Sequence, residues 1–485
     1  MTTLTPQPTR SYSLSDWQGG HRSQTEELAY WIDDIEGQVP LELAGTLFRN
    51  GPGRLDINGQ RFHHPFDGDG MINSFVFRQG RVFYRNRFVR TAGYQAEQAA
   101  GRILYRGVFG TQKPGGLLAN CLDLRLKNIA NTQVIYWGDK LLALWEAAEP
   151  HRLDPYTLET LGLDTLEGLL APGDAFAAHP RIDPAGRLVN FAVKPGPVTT
   201  LSLYEFDPAG RLVSQQARQI QGFAFLHDFA LTPHYAIFFQ NPMRFNPLPY
   251  LLGLAGAAQC LQFLADQPTK IVVIPRDPGR PVQTLLGPSC FVFHHANAYE
   301  LGDSLVVDSI CYDHFPSLPP QGDYRQVDFS QLPAGQLRRF TLNLPSAQVE
   351  TETLLSRCCE FPQVHPDVVG RPYAQVYLAV AHEPQGNAPL QAIAAMDVTT
   401  GAEQVWSAAP RGFVSEPVYV PHPDSQNETG GWLLSVVYDA ERQASDLVIL
   451  DAAHVSHGPL ARLKLRHHIP YGLHGTFTPH DFGPQ

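Results

Sequence analysis

Charge is scarce in this chain. Only 17% of its 485 residues are Asp, Glu, Lys or Arg, and the formal net charge is −11. No run of Lys and Arg is long enough to make a phosphate footprint, which argues against a nucleic-acid partner. Cysteine is equally sparse. The six (Cys121, Cys260, Cys290, Cys311, Cys358 and Cys359) show no C-x-x-C spacing, and the adjacent pair Cys358-Cys359 is poorly placed for a mutual disulfide. That usage predicts a reducing, cytoplasmic setting. Long apolar runs are missing too. The opening residues, MTTLTPQPTRSYSLSDW, contain no apolar core of a secretory signal. The longest greasy stretch, Pro247–Ala258, is shorter than the roughly 18–20 residues a spanning helix needs and opens with two prolines.

What is present points to strands. Hydrophobic residues make up 43% of the chain, and 41 Gly and 41 Pro are spread along its whole length. Such a turn-rich chain with many Val, Phe and Tyr favours an all-β design. Several segments read as strand, tight turn, strand. Phe75–Arg78 meets Gln79-Gly80 and then Arg81–Tyr84. Leu203–Phe206 meets Asp207-Pro-Ala-Gly210, and the same turn recurs at Asp183–Gly186. Ile393–Asp397 before Thr400-Gly401, and Leu447–Asp451, follow the same grammar. Recurrent hairpins from end to end predict antiparallel blades, the propeller solution to exposed sheet edges. No strict period gives the blade count; seven blades would allow about 70 residues each, which leaves room for insertions. Stretches 97–127, 241–265 and 311–335 read as loops or short helices on one face. No Pro/Ser linker divides the chain, since Phe315–Pro320 is too short for one. Residues 1–485 therefore read as a single domain.

Nineteen histidines are many for this length, and four stand in strand-like apolar settings. They are His179 (Ala-Ala-His-Pro-Arg), His227 (Phe-Leu-His-Asp-Phe), His294 (Val-Phe-His-His-Ala-Asn) and His474 (Gly-Leu-His-Gly). A lone histidine of this kind is ordinarily a hydrogen-bonded core residue. In a propeller, however, inner strands converge on one axis, and four neutral imidazoles there suit Fe, Zn, Cu or Ni. The chain has no G-x-S-x-G and no convincing Cys–His pair, so a protein nucleophile is not indicated.

The strings around these histidines resemble the carotenoid cleavage oxygenase family, and in particular its cyanobacterial apocarotenoid-cleaving branch. The resemblance covers nearly the whole chain. It starts at Arg49-Asn-Gly-Pro-Gly53 and His64-Pro-Phe-Asp-Gly-Asp-Gly-Met71, and continues through Arg125–Thr132 and Leu144-Trp145-Glu146. It then includes the four histidine strings, Cys359-Glu360-Phe361-Pro362 and Ser415-Glu416-Pro417. The resemblance implies a seven-bladed β-propeller with capping loops and a ferrous iron, Fe(2+), on its axis. His179, His227, His294 and His474 would be the ligands. His294 is preferred to His295 because the family's ligand stands three residues before the Asn, here Asn297, and neighbouring strand residues face opposite ways. Glu146, Glu360 and Glu416 would orient His227, His294 and His474, leaving His179 without a carboxylate. Thr132 would border the open metal position, and Trp145 and Phe293 would line a substrate tunnel.

The implied reaction is cleavage of an apocarotenoid double bond, by resemblance the 15,15′ bond, with O2 to give two aldehydes such as retinal. A non-oxidative polyene isomerase on the same scaffold and a non-catalytic binding propeller are the alternatives. Intact ligand and carboxylate sets weigh against the latter. With so insoluble a substrate, Pro247–Ala258 reads either as a tunnel mouth resting on a membrane leaflet or as a buried cap.

Overall fold

A computed structural model describes residues 11–317, 322–425 and 427–484. The opening ten residues and 318–320 of the proline-rich spot lie outside them. Seven antiparallel sheets follow one another along the chain. The second is typical, with strands Gln133–Trp137, Lys140–Leu144, His151–Leu153 and Thr160–Leu163 paired in sequence order. The next four start at Arg181, Ala230, Phe291 and Cys359, and the seventh at Gly412. The ring closes by mixing the two ends of the chain. Gly475–Thr478 pairs with Gly45–Arg49 in the first blade, with Arg49 opposite Gly475. Ile35–Gly37 forms the outer edge of the last blade against Pro459–Lys464.

Alternation along each strand explains how the blades stack. Tyr377, Ala379 and Ile393 of the sixth blade pack toward the seventh, whereas Val376, Leu378 and Ala394 pack toward the fifth. Neighbouring blades share such a core all the way round: Phe48 with Val134, Ile135 with Leu188, Phe191 with Phe238, Phe239 with Phe340, and Leu447 with Phe75. A strand buried on both faces has no polar face, so these strands read as continuous apolar runs. The predicted hairpins are present. Asp69–Arg78 and Arg81–Phe88 flank the turn at Gln79 and Gly80, whose φ values of +51° and +74° suit a two-residue hairpin.

Of the three irregular stretches, 97–127 and 311–335 carry short helices, in keeping with the sequence reading, and 241–265 holds more than that reading implied. Segment 241–265 contains a small hairpin, Met243–Phe245 with Leu261–Phe263, which holds out a short helix, Pro247–Leu251. Segment 97–127 carries the helix Gly116–Asn120, and Leu122 N–H bonds the Leu251 carbonyl at 2.9 Å, tying the two excursions together. No helix among the described residues is long and apolar enough to cross a membrane. All six cysteines are free.

Candidate metal centre and its chamber

Four of the blades each bring one histidine to the axis, at or just before a strand. His179 precedes the strand at Arg181, His227 precedes Ala230, His294 lies within Phe291–Leu301, and His474 precedes the closing strand at Gly475. Their ligand nitrogens all lie within 4.8 Å of one another. His179 Nε2 and His227 Nε2 are 2.9 Å apart, and His227 Nε2 and His294 Nε2 are 3.2 Å apart. A bulge around Val292–Asn297 aims His294 inward. His295 faces away, its Nδ1 2.8 Å from Ser309 Oγ and its ring against Phe239.

Three of the imidazoles are held from behind by carboxylates. His227 Nδ1 pairs with Glu146, His294 Nδ1 with Glu360 at 2.6 Å, and His474 Nδ1 with Glu416 at 2.8 Å. No carboxylate reaches His179 among the described residues. The supports differ in depth. Glu416 also pairs with Arg49 and accepts from Gln363 at 3.2 Å and Gly475 N–H at 2.9 Å. Glu360 accepts from the Tyr312 hydroxyl at 2.7 Å and the Phe361 N–H at 2.6 Å. Glu146 has 31% of its side chain open to the chamber.

The electrostatics follow from this geometry. Burial pushes all three carboxyls up, but the facing imidazoles, with Arg49 at Glu416, outweigh it and hold them below the ordinary carboxylate range. Burial drives His179 well below its usual value, and the neighbouring histidines add to that. His474 is lowered by burial despite Glu416, while at His294 Glu360 and the other carboxylates prevail and raise it. A carboxylate on Nδ1 fixes the tautomer with its proton there, which leaves a lone pair on Nε2. The lone pairs of the three rings so held converge, and with His179 beside them they form a donor set for a cation. Four imidazole nitrogens suit a borderline first-row divalent metal.

Above the histidines lies a chamber of about 170 Å³. Thr132, Trp145, Glu146 and Phe293 all line it. The sequence reading passed over Phe66, Phe109, Phe225, Tyr312 and Phe361, which line it as well. Two of these are set by the His64–Met71 motif. Asp67 accepts from Phe109 N–H at 2.9 Å and from the Thr111 backbone and hydroxyl at 3.1 and 2.8 Å. This clip brings the rings of Phe66 and Phe109 together, 5.3 Å apart and nearly perpendicular. A Cβ on Gly107 would lie 2.2 Å from Asp67, so the clip closes only over glycine. Two further apolar lobes, of about 280 and 320 Å³, share walls with the chamber. Phe66, Phe109 and Phe293 border the first lobe; Tyr312, Glu360 and Phe361 border the second. Arg49 was legible only as part of a motif, and its grip on Glu416 emerges from the fold.

Comparison with known proteins agrees with this geometry. Residues 21–479 match the profile of the retinal pigment epithelial membrane protein family. The apocarotenoid-15,15′-oxygenase of Synechocystis sp. is 52% identical over 97% of each chain. The lignostilbene-α,β-dioxygenase isozyme III of Sphingomonas paucimobilis is 31% identical over 92% of this chain and 93% of its own. The crystal structure of a cobalt-substituted Synechocystis apocarotenoid oxygenase superposes with a TM-score of 0.95 at 52% identity, covering 97% of this chain and all of its own.

Proposed function

Because this chain belongs to the retinal pigment epithelial membrane protein family, that of the carotenoid cleavage oxygenases, we propose that it is an apocarotenoid-cleaving dioxygenase using non-haem iron. The observation that carries this reading is the set of four converging imidazoles, three backed by carboxylates, at the floor of an apolar chamber. His179, His227, His294 and His474 would hold Fe(2+), with Glu146, Glu360 and Glu416 fixing three of the rings. When bound, the iron supplies open coordination positions and the redox chemistry that lets O2 attack an electron-rich polyene. Both oxygen atoms enter products: R–CH=CH–R′ and O2 give R–CHO and R′–CHO, with 15,15′ as the bond by analogy with the Synechocystis relative.

The chain's own part is positioning. Phe66, Phe109, Phe293 and Phe361 offer flat apolar walls to a rigid polyene and exclude water. The Thr132 hydroxyl donates to Asn131 Oδ1 at 3.2 Å, and the residue, which lines the chamber, would narrow access beside a bound metal. Trp145, buried between Ile129 and Ala148, closes the chamber on another side. Residues 1–485 work as one domain, since both chain ends build the same closure.

Delivery of the substrate falls to the outer loops. In 247–258, Leu248, Leu252 and Leu254 are exposed, which favours a membrane-facing role over a buried cap. Leu117, Leu118, Leu122, Leu124 and Leu126 of the tied loop are exposed as well, so the apolar surface is larger than the sequence suggested. Ala258 and Gln259, at the base of that loop, line the first lobe and connect the surface to the chamber. The enzyme is therefore read as cytoplasmic, resting on a membrane leaflet without spanning it. Incubation of the iron-loaded protein with an apocarotenal under ¹⁸O2, followed by mass analysis, tests the reaction. Two labelled aldehydes are expected; an isomerised substrate with no oxygen consumed overturns it.

A further inference from the structure

The lobes beyond the chamber are apolar, and the polar side chains that border them are mostly engaged. His63 Nε2 lies 3.0 Å from Gln259 Nε2, and His64 Nδ1 accepts the Phe66 N–H at 3.1 Å. Asn387 binds Cys358 Sγ at 3.1 Å and donates to the carbonyls of Leu332 and Pro333. His21 differs. It follows the helix Leu14–Gly19 and lines both lobes. Its ring stands edge-on to Trp17, Tyr471 and Tyr324, with centroids 4.5, 4.8 and 5.1 Å away. Those aromatics fix the ring but offer its Nε2 nothing. Among the described residues, it is the one buried side-chain nitrogen or oxygen bordering either lobe that lacks a partner. Burial, with a smaller push from His64, lowers the pKa of His21 to about 3. The ring is therefore neutral and carries one N–H and one lone pair. A buried polar atom without a partner calls for a ligand that brings one.

We propose that His21 determines specificity by hydrogen-bonding an oxygen function at one end of the apocarotenoid, either a ring hydroxyl or the terminal carbonyl or alcohol. This rests on the cleavage reading above. A polyene is apolar along its length, so its only strong hydrogen-bonding groups are at its ends. According to its tautomer, the Nε2 of a neutral imidazole donates to a carbonyl or hydroxyl oxygen or accepts from a hydroxyl. A lobe otherwise lined by apolar groups makes one such bond selective, because a substrate lacking the oxygen leaves the nitrogen without that partner.

The test uses full-length, iron-loaded protein and four substrates, with or without the ring hydroxyl and with or without the terminal oxygen. Wild type is expected to show about tenfold higher kcat/KM, expressed mainly in KM, for substrates bearing the recognised oxygen. The end at which the preference appears identifies its source. In His21→Phe the preference collapses toward unity, and His21→Gln, which keeps a donor and an acceptor, restores part of it. A histidine-¹⁵N spectrum of wild type reads the same bond without any substitution: the His21 resonance moves with the oxygenated ligand and not with its deoxy counterpart. Equal kcat/KM for all four substrates in wild type, a preference retained in His21→Phe, or a His21 resonance indifferent to both ligands would overturn the proposal. Failure of wild type to cleave any of the four would instead overturn the cleavage reading.

Discussion

The axis and the outer loops of this protein break opposite rules. At the axis, three carboxylates and four imidazoles are gathered inside a propeller whose blades are otherwise welded by apolar cores. On the outer loops, Leu118 is 96% exposed and Leu122 is 72% exposed. Neither arrangement helps the folded chain on its own. Gathering unprotonated nitrogens and carboxylates in the interior costs desolvation energy, and leaving leucines in water forfeits burial. Each makes sense with a second component, a cation at the axis and an apolar phase at the rim. Local rules tend to be broken where function resides.

The contrast predicts that damage at the axis abolishes the enzyme whereas damage at the rim only starves it. The largest effect is expected from His227→Ala or His474→Ala, which should lose both bound iron and turnover by metal analysis and aldehyde assay. An iron-free variant with full activity would break the contrast at its centre. Next comes Arg49→Leu, which leaves Glu416 without its buried cation. Loss of one partner of a buried pair costs about 3–5 kcal/mol, readable as a lower midpoint in urea. Arg49→Lys should recover part of it.

Glu146→Gln, Glu360→Gln and Glu416→Gln should each cut iron affinity or rate by about 10–100-fold with the fold intact. Wild-type behaviour in all three would show that the carboxylates do not orient the ligands. Acid should also bear on the interior rather than the rim. His21 and His64 are both lowered to about 3, burial being the main cause. The unfolded chain binds those protons near pH 6.5 and the native state does not, so stability is flat above about 6.5 and falls toward pH 3. Each histidine contributes roughly 1.4 kcal/mol per pH unit in that window. A stability that rose on acidification between pH 6 and 4 would contradict the sign.

The smallest effect on the enzyme itself should come from Leu248, Leu252 and Leu254 all changed to Ser. These positions are exposed, so the melting temperature and turnover of detergent-solubilised substrate should hardly move. Liposome binding and turnover of liposome-delivered apocarotenal should fall. A collapsed melting temperature with unchanged liposome binding would identify the loop as core. Leu251 is a poorer choice, because it is half-buried and its carbonyl holds Leu122.

Much of this was legible in the sequence for a physical reason. Hairpin turns are local, so Gln79-Gly80 and Asp207–Gly210 announce themselves without knowledge of the rest of the chain. His179, His227, His294 and His474 stand out locally as histidines in strand-like apolar strings, whereas Glu146, Glu360 and Glu416 stand out only through the family resemblance. Side-chain pairings across the ring are another matter. That Arg49 would meet Glu416, that Asp67 would clip Phe109 beside Phe66, and that the leucines near 120 would join those near 250 depend on closure between residues far apart in the chain. So does the solitary nitrogen of His21. The sequence by itself determined the kinds of strand, the turns and the identity of the groups fit to hold a metal. The tertiary structure alone decided which of them meet, because a propeller brings its inner strands together only when the last strand pairs with the first.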